Sequence, residues 1–570
     1  MPGFFLTNFE TRSADLNVVS AGPMRRDCQV VDEWLVARAV LDRFPEHKVF
    51  SSEAHAFVMT DGVITNAHRL GLGNRSLASW LLEKRQENQE FFGAFRGSFS
   101  GAIYDREKKE WLVYADAAGG RPIFYWEDPA RKRVIVGSQM NFVTDFMKQM
   151  SVERNPDPHG FQFLFNYGNF VDTHTGVEGV RRLYPGDYLV IRDGRVQVRT
   201  FYRLKTTAQN RVPVDEAISR LEKAFHQALS DAVYWNERHS YGCIVDLSAG
   251  ADTRMMAFAM HRLKPEMLEF MTYAQTRSRD HRVAGQIAEY LHCPWTFMAM
   301  DDPSFLTEID DLAIMNNGVS FYYGITGGKK TLEKRNPTDV GTELTGVVGD
   351  VFEGAMLTEG GNELPNPFLE HFRLSDRFPM EKTYFSDVAD SYQDNSSYWT
   401  ATRGFMAAVT TNSIRQHYVD TLTPFADIDF LEACFSIPWK QRVEERVQFQ
   451  WLKKEFPESL RFQYSGTGMP LRFATWPGAN FLHKVINTLG VLRAKFFGGP
   501  YRGDMNPLNF WWDTQEDLRK RLTEYYRANL HRVKEESTRE KTRRLFEESN
   551  RFSERGLALS LLAYYKNYLD

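Results

Sequence analysis

The sequence predicts a two-layered α+β unit followed by an α/β unit with a parallel sheet and a helical C-terminal region. Three observations predict it. Residues 1–205 read as short strands with tight turns. After the polar segment Lys205–Pro213, strand and helix patterns alternate, which calls for βαβ crossovers. From about residue 400 onward helical patterns dominate.

In chain order, a helix is expected over Arg26–Arg43 and another over Leu77–Glu90. Strands are expected at Ala56–Met59 and Val63–Thr65, joined by an Asp61-Gly62 turn. Phe99–Tyr104 and Trp111–Tyr114 flank the charged turn Asp105–Glu110. Val134–Val136 and Tyr188–Ile191 add strands, the latter closed by Asp193-Gly194. Beyond the linker come strand Tyr241–Leu247, helix Asp252–Arg262, strand Leu268–Ala274, helix Asp280–Leu291 and strand Trp295–Met300. Ligands of such sheets sit at the carboxyl ends of the strands, where residues 248–253 and 274–280 should converge. The charged stretch Leu518–Asn550 reads as a solvated helical surface.

Length allows two domains, placed here at residues 1–205 and 213–570, each with its own core. A net charge of −4 gives no electrostatic reason for a nucleic-acid partner. Cys28, Cys243, Cys293 and Cys434 are dispersed without a Cys-x-x-Cys pair, which argues for buried free thiols rather than zinc or disulfides. No apolar run is long enough to span a bilayer, and the first residues lack the basic segment of a secretory signal, so a cytoplasmic location is expected.

Val245–Arg254, Val-Asp-Leu-Ser-Ala-Gly-Ala-Asp-Thr-Arg, carries the most chemistry. A small-residue turn between a strand and a helix presents N–H donors at the positive end of a helix dipole, where phosphate binds. Ser248 and Thr253 add hydroxyls, and Asp252 suits a hydrated magnesium ion. An ordinary capped turn is the alternative. A Walker A loop is absent: Gly324-Ile-Thr-Gly-Gly-Lys329-Lys330 has the wrong spacing.

Ser248, Gly250, Asp252 and Thr253 resemble the Ser-Gly-Gly-x-Asp-Ser loop of ATP pyrophosphatases, with Ala249 in place of the first glycine. Other landmarks extend the likeness over roughly residues 50–475 to the asparagine synthetase family, which includes the β-lactam synthetases. They are Asp61–Asn66, Gly97–Asp105, Asp116–Tyr125, Val180–Gly186, Thr345–Asp350, and Pro424–Asp427 with Ile437-Pro438. The resemblance implies a first domain of the Ntn-hydrolase kind, a two-layer β-sandwich with helices. It implies an ATP-pyrophosphatase domain behind it.

It also implies ATP and magnesium as cofactors. Leu247, Ser248, Gly250, Asp252, Thr253 and Gly346 would hold the pyrophosphate, Asp252 and Asp350 the metal, and Asp280 a substrate. The implied partners are a small-molecule or peptide carboxylate and an amine; a homodimer stays open. Asp116 and Arg121 are expected to brace the fold, and Asp427 and Asp429 to cap a helix.

Departures from the family shape the expected activity. Glutamine-hydrolysing members place a cysteine after the initiator Met; here that residue is Pro2, so the glutaminase is expected to be inactive. Val347 and Val351 replace family glutamates, and Tyr464 replaces the lysine that steadies pyrophosphate. Arg254, Lys329, Lys330 and Arg472 are candidate substitutes for that cation, the first three also as catalytic groups. The expectation is an ATP-dependent amide ligase that adenylates a carboxylate. The alternative is a catalytically lapsed scaffold.

Overall fold

The computed structural model describes residues 2–570 except 12, 14–22, 209–210, 325, 350–359, 367–372, 386 and 474–478. Strands β1 (Gly3–Thr7), β2 (Met24–Val31), β3 (Trp34–Leu41), β4 (Phe50–Ser52), β5 (Ala56–Ile64) and β6 (Gly97–Asp105) come first. Then follow β7 (Glu110–Ala115), β8 (Phe124–Asp128), β9 (Arg133–Gly137), β10 (Arg181–Arg182), β11 (Asp187–Arg192) and β12 (Arg195–Thr200). They build two antiparallel sheets, ordered β10-β8-β9-β1-β3-β2 and β12-β11-β7-β6-β5-β4.

Strand alternation explains the sandwich. Phe4, Leu6, Val36 and Val136 from one sheet meet Phe57, Met59, Trp111 and Val113 from the other. Phe5, Leu35 and Ile135 point outward onto the helices Met140–Gln149 and Pro158–Tyr167. The opposite outer face carries Leu77–Glu87 and, through Trp235, the long helix Val214–Arg238. Helices therefore cover both outer faces of the sandwich.

Two expectations fail here. Residues 26–43 are a hairpin, not a helix: β2 and β3 pair from Met24↔Leu41 to Val31↔Trp34 around Asp32-Glu33, with Asp32 at φ 53°. Val30, Val31, Trp34, Val36 and Val40 are strand formers, and a two-residue turn with positive φ fits strand twist. Asp61-Gly62 is not a turn either; β5 pairs with β6 without a break from Ala56↔Asp105 to Ile64↔Gly97. Asp61 is buried against the Arg121 guanidinium, and Gly62 (φ +85°) leaves no room for a Cβ beside the Ser98 carbonyl.

The later strands are β13 (Gly242–Asp246), β14 (Leu268–Ala274), β15 (Trp295–Ala299), β16 (Val340–Leu344) and β17 (Asp420–Leu422). All pair in parallel, in the order β15-β14-β13-β16-β17. The chain steps outward from β13 to β15, then returns to β13's other side at β16. That reversal makes a topological switch point, and the crevice beyond it is where α/β sheets hold ligands.

Asp420 on β17 ties this sheet to the sandwich, accepting from Lys48 Nζ at 2.7 Å and from Arg121 at 2.8 Å. Burial resists ionisation of Asp420, but the two cations hold its carboxyl below the usual range. Arg121 thus braces the junction, and Asp116 accepts from the N–H groups of Phe99, Gly120 and Arg121. The thiols are unpaired; Cys243 and Cys434 are buried, whereas Cys28 is exposed on β2. Among the described residues no helix is long and apolar enough to cross a membrane.

Candidate functional site

β13 delivers the chain from Asp246 into the turn 247–250, and the helix Ala251–Leu263 departs from it. Leu247 is buried and anchored: its N–H donates to Met271 O (2.9 Å), and its carbonyl accepts from Thr272 Oγ1 (2.7 Å). The Ser248 and Thr253 hydroxyls lie 2.9 Å apart. Gly250 N–H donates to Ser248 Oγ at 3.0 Å. No side chain caps this helix, whereas Ser278 and Asp427 cap the helices Arg279–Leu291 and Ile428–Phe435. The first-turn N–H groups of Ala251, Asp252 and Thr253 lack intrahelical acceptors, as in any α-helix, and they open beside the two hydroxyls.

The second loop comes from β16. A Cβ at Gly346 would stand 2.8 Å from Thr253 Cγ2, and one at Gly349 would run into the Asp252 carboxyl. The segment Thr345–Gly349 therefore lies against the helix start. Asp350 falls outside the described residues. Asp252 Oδ1 accepts from Gln448 Nε2 at 2.7 Å.

Between these two glycines, Val348 holds φ 62° while buried. A left-handed β-branched residue stores ~1–2 kcal/mol, which offsets much of the ~1.5–3 kcal/mol its burial contributes. Val348→Gly is expected to leave stability within about 1 kcal/mol of wild type. Val245→Gly in β13 is expected to lose about 3 kcal/mol or more. Urea unfolding of both variants checks this; equal losses would remove the strain argument.

The two loops border a cleft of about 220 Å³. Ser248, Thr253, Gly346 and Val347 line one part, and Thr272, Tyr273 and Met505 another. Its floor is Arg415, buried at the end of Asn412–Arg415, just before β17. Arg415 bonds Asp246 at 2.9 Å, Glu343 and the Tyr273 hydroxyl. Burial works against its charge, but the two carboxylates more than offset that and keep the guanidinium protonated. Burial in turn raises Asp246 and Glu343.

Sequence reasoning missed Arg415 and its partners. The available signal was an acidic residue within each of two short strand patterns, Asp246 and Glu343, each of which needs a cation once buried.

Several expected roles are corrected by position. Arg254 is wholly buried and donates to the carbonyls of Ala249, Ser459, Phe462 and Gln463, so it clamps backbone rather than facing the cleft. Burial pushes it down to about 10. Lys329 pairs with Glu308 and Glu333, and Lys330 lies by Glu308 and Ser304, so neither reaches the loop. Arg472 is exposed over Phe473.

Asp280 lies in the first turn of its helix, which Ser278 caps. Asp280 Oδ1 instead accepts the Ala249 N–H at 2.9 Å, so it orients the turn from the next strand's loop. The Ala249 methyl is buried in the core and does not crowd the cleft. Tyr464 donates to both oxygens of Glu445, at 2.8 and 2.7 Å.

A second cavity, of about 50 Å³, lies between sandwich and sheet, with Thr65, Ser98 and Asp116 facing Asn412, Thr423 and Asp427. Burial raises Asp116 to about 6. Asp427 caps its helix, and burial pushes it up to about 7, opposed by Arg96 and aided by Asp429. A carboxyl raised on folding contributes stability in full below its unfolded value, near 4, and loses it as pH rises through 7. Asp427→Asn keeps a capping side chain. It should flatten the decline between pH 5 and 8 by about 1–2 kcal/mol, discounted for partial solvent access. Urea titrations at both pH values test this; an unchanged slope would place the titration elsewhere.

Residues 81–202, which run from the helix Leu77–Glu87 through β6 to β12, match the glutamine amidotransferase domain family. A solved glutamine phosphoribosylpyrophosphate (PRPP) amidotransferase from B. subtilis, complexed with ADP and GMP, aligns at 13% identity and a TM-score of 0.21. That alignment covers 47% of this chain and 52%, about half, of the other. No curated protein matches the chain. The chain thus contains a region similar to glutamine amidotransferase domains, inside an antiparallel sandwich that is followed by a parallel sheet.

Proposed function

We propose that the chain is an ATP-dependent amide-bond-forming ligase of the asparagine synthetase kind. In this reading residues 1–205 and 213–570 are its two domains, and it works without hydrolysing glutamine. The supporting observation is the meeting of two loops distant in sequence. Gly346 and Gly349 press on Thr253 and Asp252 at the switch point of the parallel sheet, beside an uncapped helix start.

The chain's groups suit a pyrophosphate leaving group. Ser248 and Thr253, bonded to each other, can turn their hydroxyls to phosphate oxygens, and the helix-start N–H groups add aligned donors. Arg415 underlies the cleft, but it is wholly buried and paired with Asp246 and Glu343, so it shapes the floor rather than replacing the family lysine. Asp252 and Asp350 are the residues assigned to hold magnesium, which supplies charge neutralisation on the phosphates. Among the described residues no group of three metal-ligating side chains exists, and magnesium needs only one or two carboxylates when phosphates and water complete its shell.

The chemistry balances as follows. A substrate carboxylate oxygen bonds to the α-phosphorus as the α–β bridging P–O bond breaks and pyrophosphate leaves. Ammonia or another amine then attacks the acyl carbon, loses a proton, and displaces AMP. Glutamine hydrolysis is left out of the proposal because β1 (Gly3–Thr7) carries no cysteine and Cys28 lies on β2, separated from β1 by β3. That is two strand spacings, about 10 Å.

One observation favours a lapsed scaffold: the phenol of Tyr464, paired with Glu445, stands where the family has a pyrophosphate-binding cation. Exchange of labelled pyrophosphate into ATP, with a panel of carboxylic acids, separates the readings. The ligase reading expects acid-dependent exchange. No exchange with any acid, together with no thermal shift on adding magnesium and ATP, would establish the scaffold.

A further inference from the structure

The helix Ala479–Phe497 turns large apolar side chains to solvent. Phe481, Leu489 and Phe496 are 73%, 61% and 80% exposed, and Phe497 84%. Phe481, Val485, Leu489, Leu492 and Phe496 recur at helical spacing and form a stripe along the outer face, which Leu482 and Phe497 widen on one side and Val491 on the other. The inner side is held by the chain that follows: Tyr501 donates to Asn487 Oδ1 at 2.6 Å, and Gly490 abuts the Tyr501 ring. A stripe of this length on a soluble surface costs free energy unless something covers it.

Charge selects the cover. Between Glu458 and Asp504 the sequence has no acidic residue, and it has six cations: Arg461, Arg472, Lys484, Arg493, Lys495 and Arg502. Lys484 and Lys495 fall on one flank of the stripe, about 100° per residue around the helix, and Arg493 on the other. The rest of the chain is more acidic than its net −4, since this segment adds +6. A second copy docked stripe to stripe would set these cations against one another. An anionic lipid surface meets both features, taking the apolar face into its acyl boundary and the cations at its headgroups.

We propose that the helix Ala479–Phe497 is a peripheral membrane-docking element that lies on anionic phospholipid bilayers. The chain after it reaches the candidate cleft. Gln275 N–H donates to Met505 O at 3.1 Å, Arg279 N–H to Arg502 O at 3.1 Å, and Met505 lines the cleft. Docking therefore sets the ends of the parallel strands beside the bilayer.

The test is co-sedimentation of the full chain with vesicles of equal parts phosphatidylglycerol and phosphatidylcholine, and with phosphatidylcholine alone. The wild type should bind the anionic vesicles, with about tenfold less bound to the neutral ones. The triple variant Phe481→Ser, Phe496→Ser, Phe497→Ser should bind about tenfold less, with an unchanged thermal midpoint because the altered rings are exposed. Lys484→Glu with Lys495→Glu should weaken binding to the anionic vesicles alone. Wild type left in the supernatant, or a triple variant that binds as well as wild type, would overturn the proposal. So would a dimer in sedimentation equilibrium that the triple variant abolishes while vesicles go unbound, which would assign the stripe to a second copy.

Discussion

Arg415→Met is expected to destabilise the folded chain by about 3–5 kcal/mol, because it leaves two buried carboxylates without their cation. Asp246 and Glu343 reach Arg415 from adjacent strands, and Glu343 is wholly buried. Methionine restores most of the volume, so the loss reports charge rather than a cavity. The pH dependence gives the sign. Without the guanidinium both carboxyls are raised further above their unfolded values, so their protonated forms favour folding. The variant should then lose stability, relative to wild type, as pH rises from 5 to 8. Urea unfolding at the two pH values measures both effects. A loss under about 1 kcal/mol, flat with pH, would show that the three groups are not coupled in solution.

Asp252→Ala should lower acid-dependent exchange of pyrophosphate into ATP by about 10²–10³-fold, the size expected when one preorganised stabiliser of leaving-group charge is removed. Asp252 sits in the first turn of its helix, held by Gln448 and covered by Gly349. Gln448 is buried, so loss of its acceptor should cost about 1–3 kcal/mol of stability, which unfolding of the variant measures alongside exchange. Lys329→Ala, which breaks the pairing with Glu308 and Glu333 well apart from the loop, should change exchange by less than about threefold. Parallel assays on the two variants check this. A deeper loss for Lys329→Ala than for Asp252→Ala would return the lysine to the site and remove the carboxylate from it.

The parallel sheet was legible because short, mostly apolar strand patterns, such as Leu268–Ala274, alternate with helical ones such as Arg279–Leu291. Its central turn was legible because small residues at 248–250 followed by a helical pattern leave few other conformations. The hairpin at 24–41 was misread because β3 is buried on both faces, so its run lacks the alternation that marks a strand. Asp61-Gly62 carries the letters of a turn, but a buried cation from residue 121 holds Asp61 within a strand.

The candidate site shows the same division. Residues that act through local backbone, such as Ser248, Gly250 and Thr253, could be named from their own segment. Arg415, Glu343, Tyr273 and Gln448 are joined only by the tertiary fold, and no spacing announces them. The same limit explains Arg254 and Asp280. Their charge suggested contact with phosphate or substrate, whereas each spends its hydrogen bonds on the backbone that shapes the turn. The direction of the Ala249 methyl was equally hidden, since only the fold shows that it enters the core.

The most direct test of the cradle formed by residues 248–253 is calorimetric titration of magnesium pyrophosphate into the full chain, wild type and Asp252→Ala. Wild type is expected to bind saturably at a single site, and the variant with at least about tenfold lower affinity. Absence of binding to wild type, or equal affinity in both proteins, would contradict such a cradle.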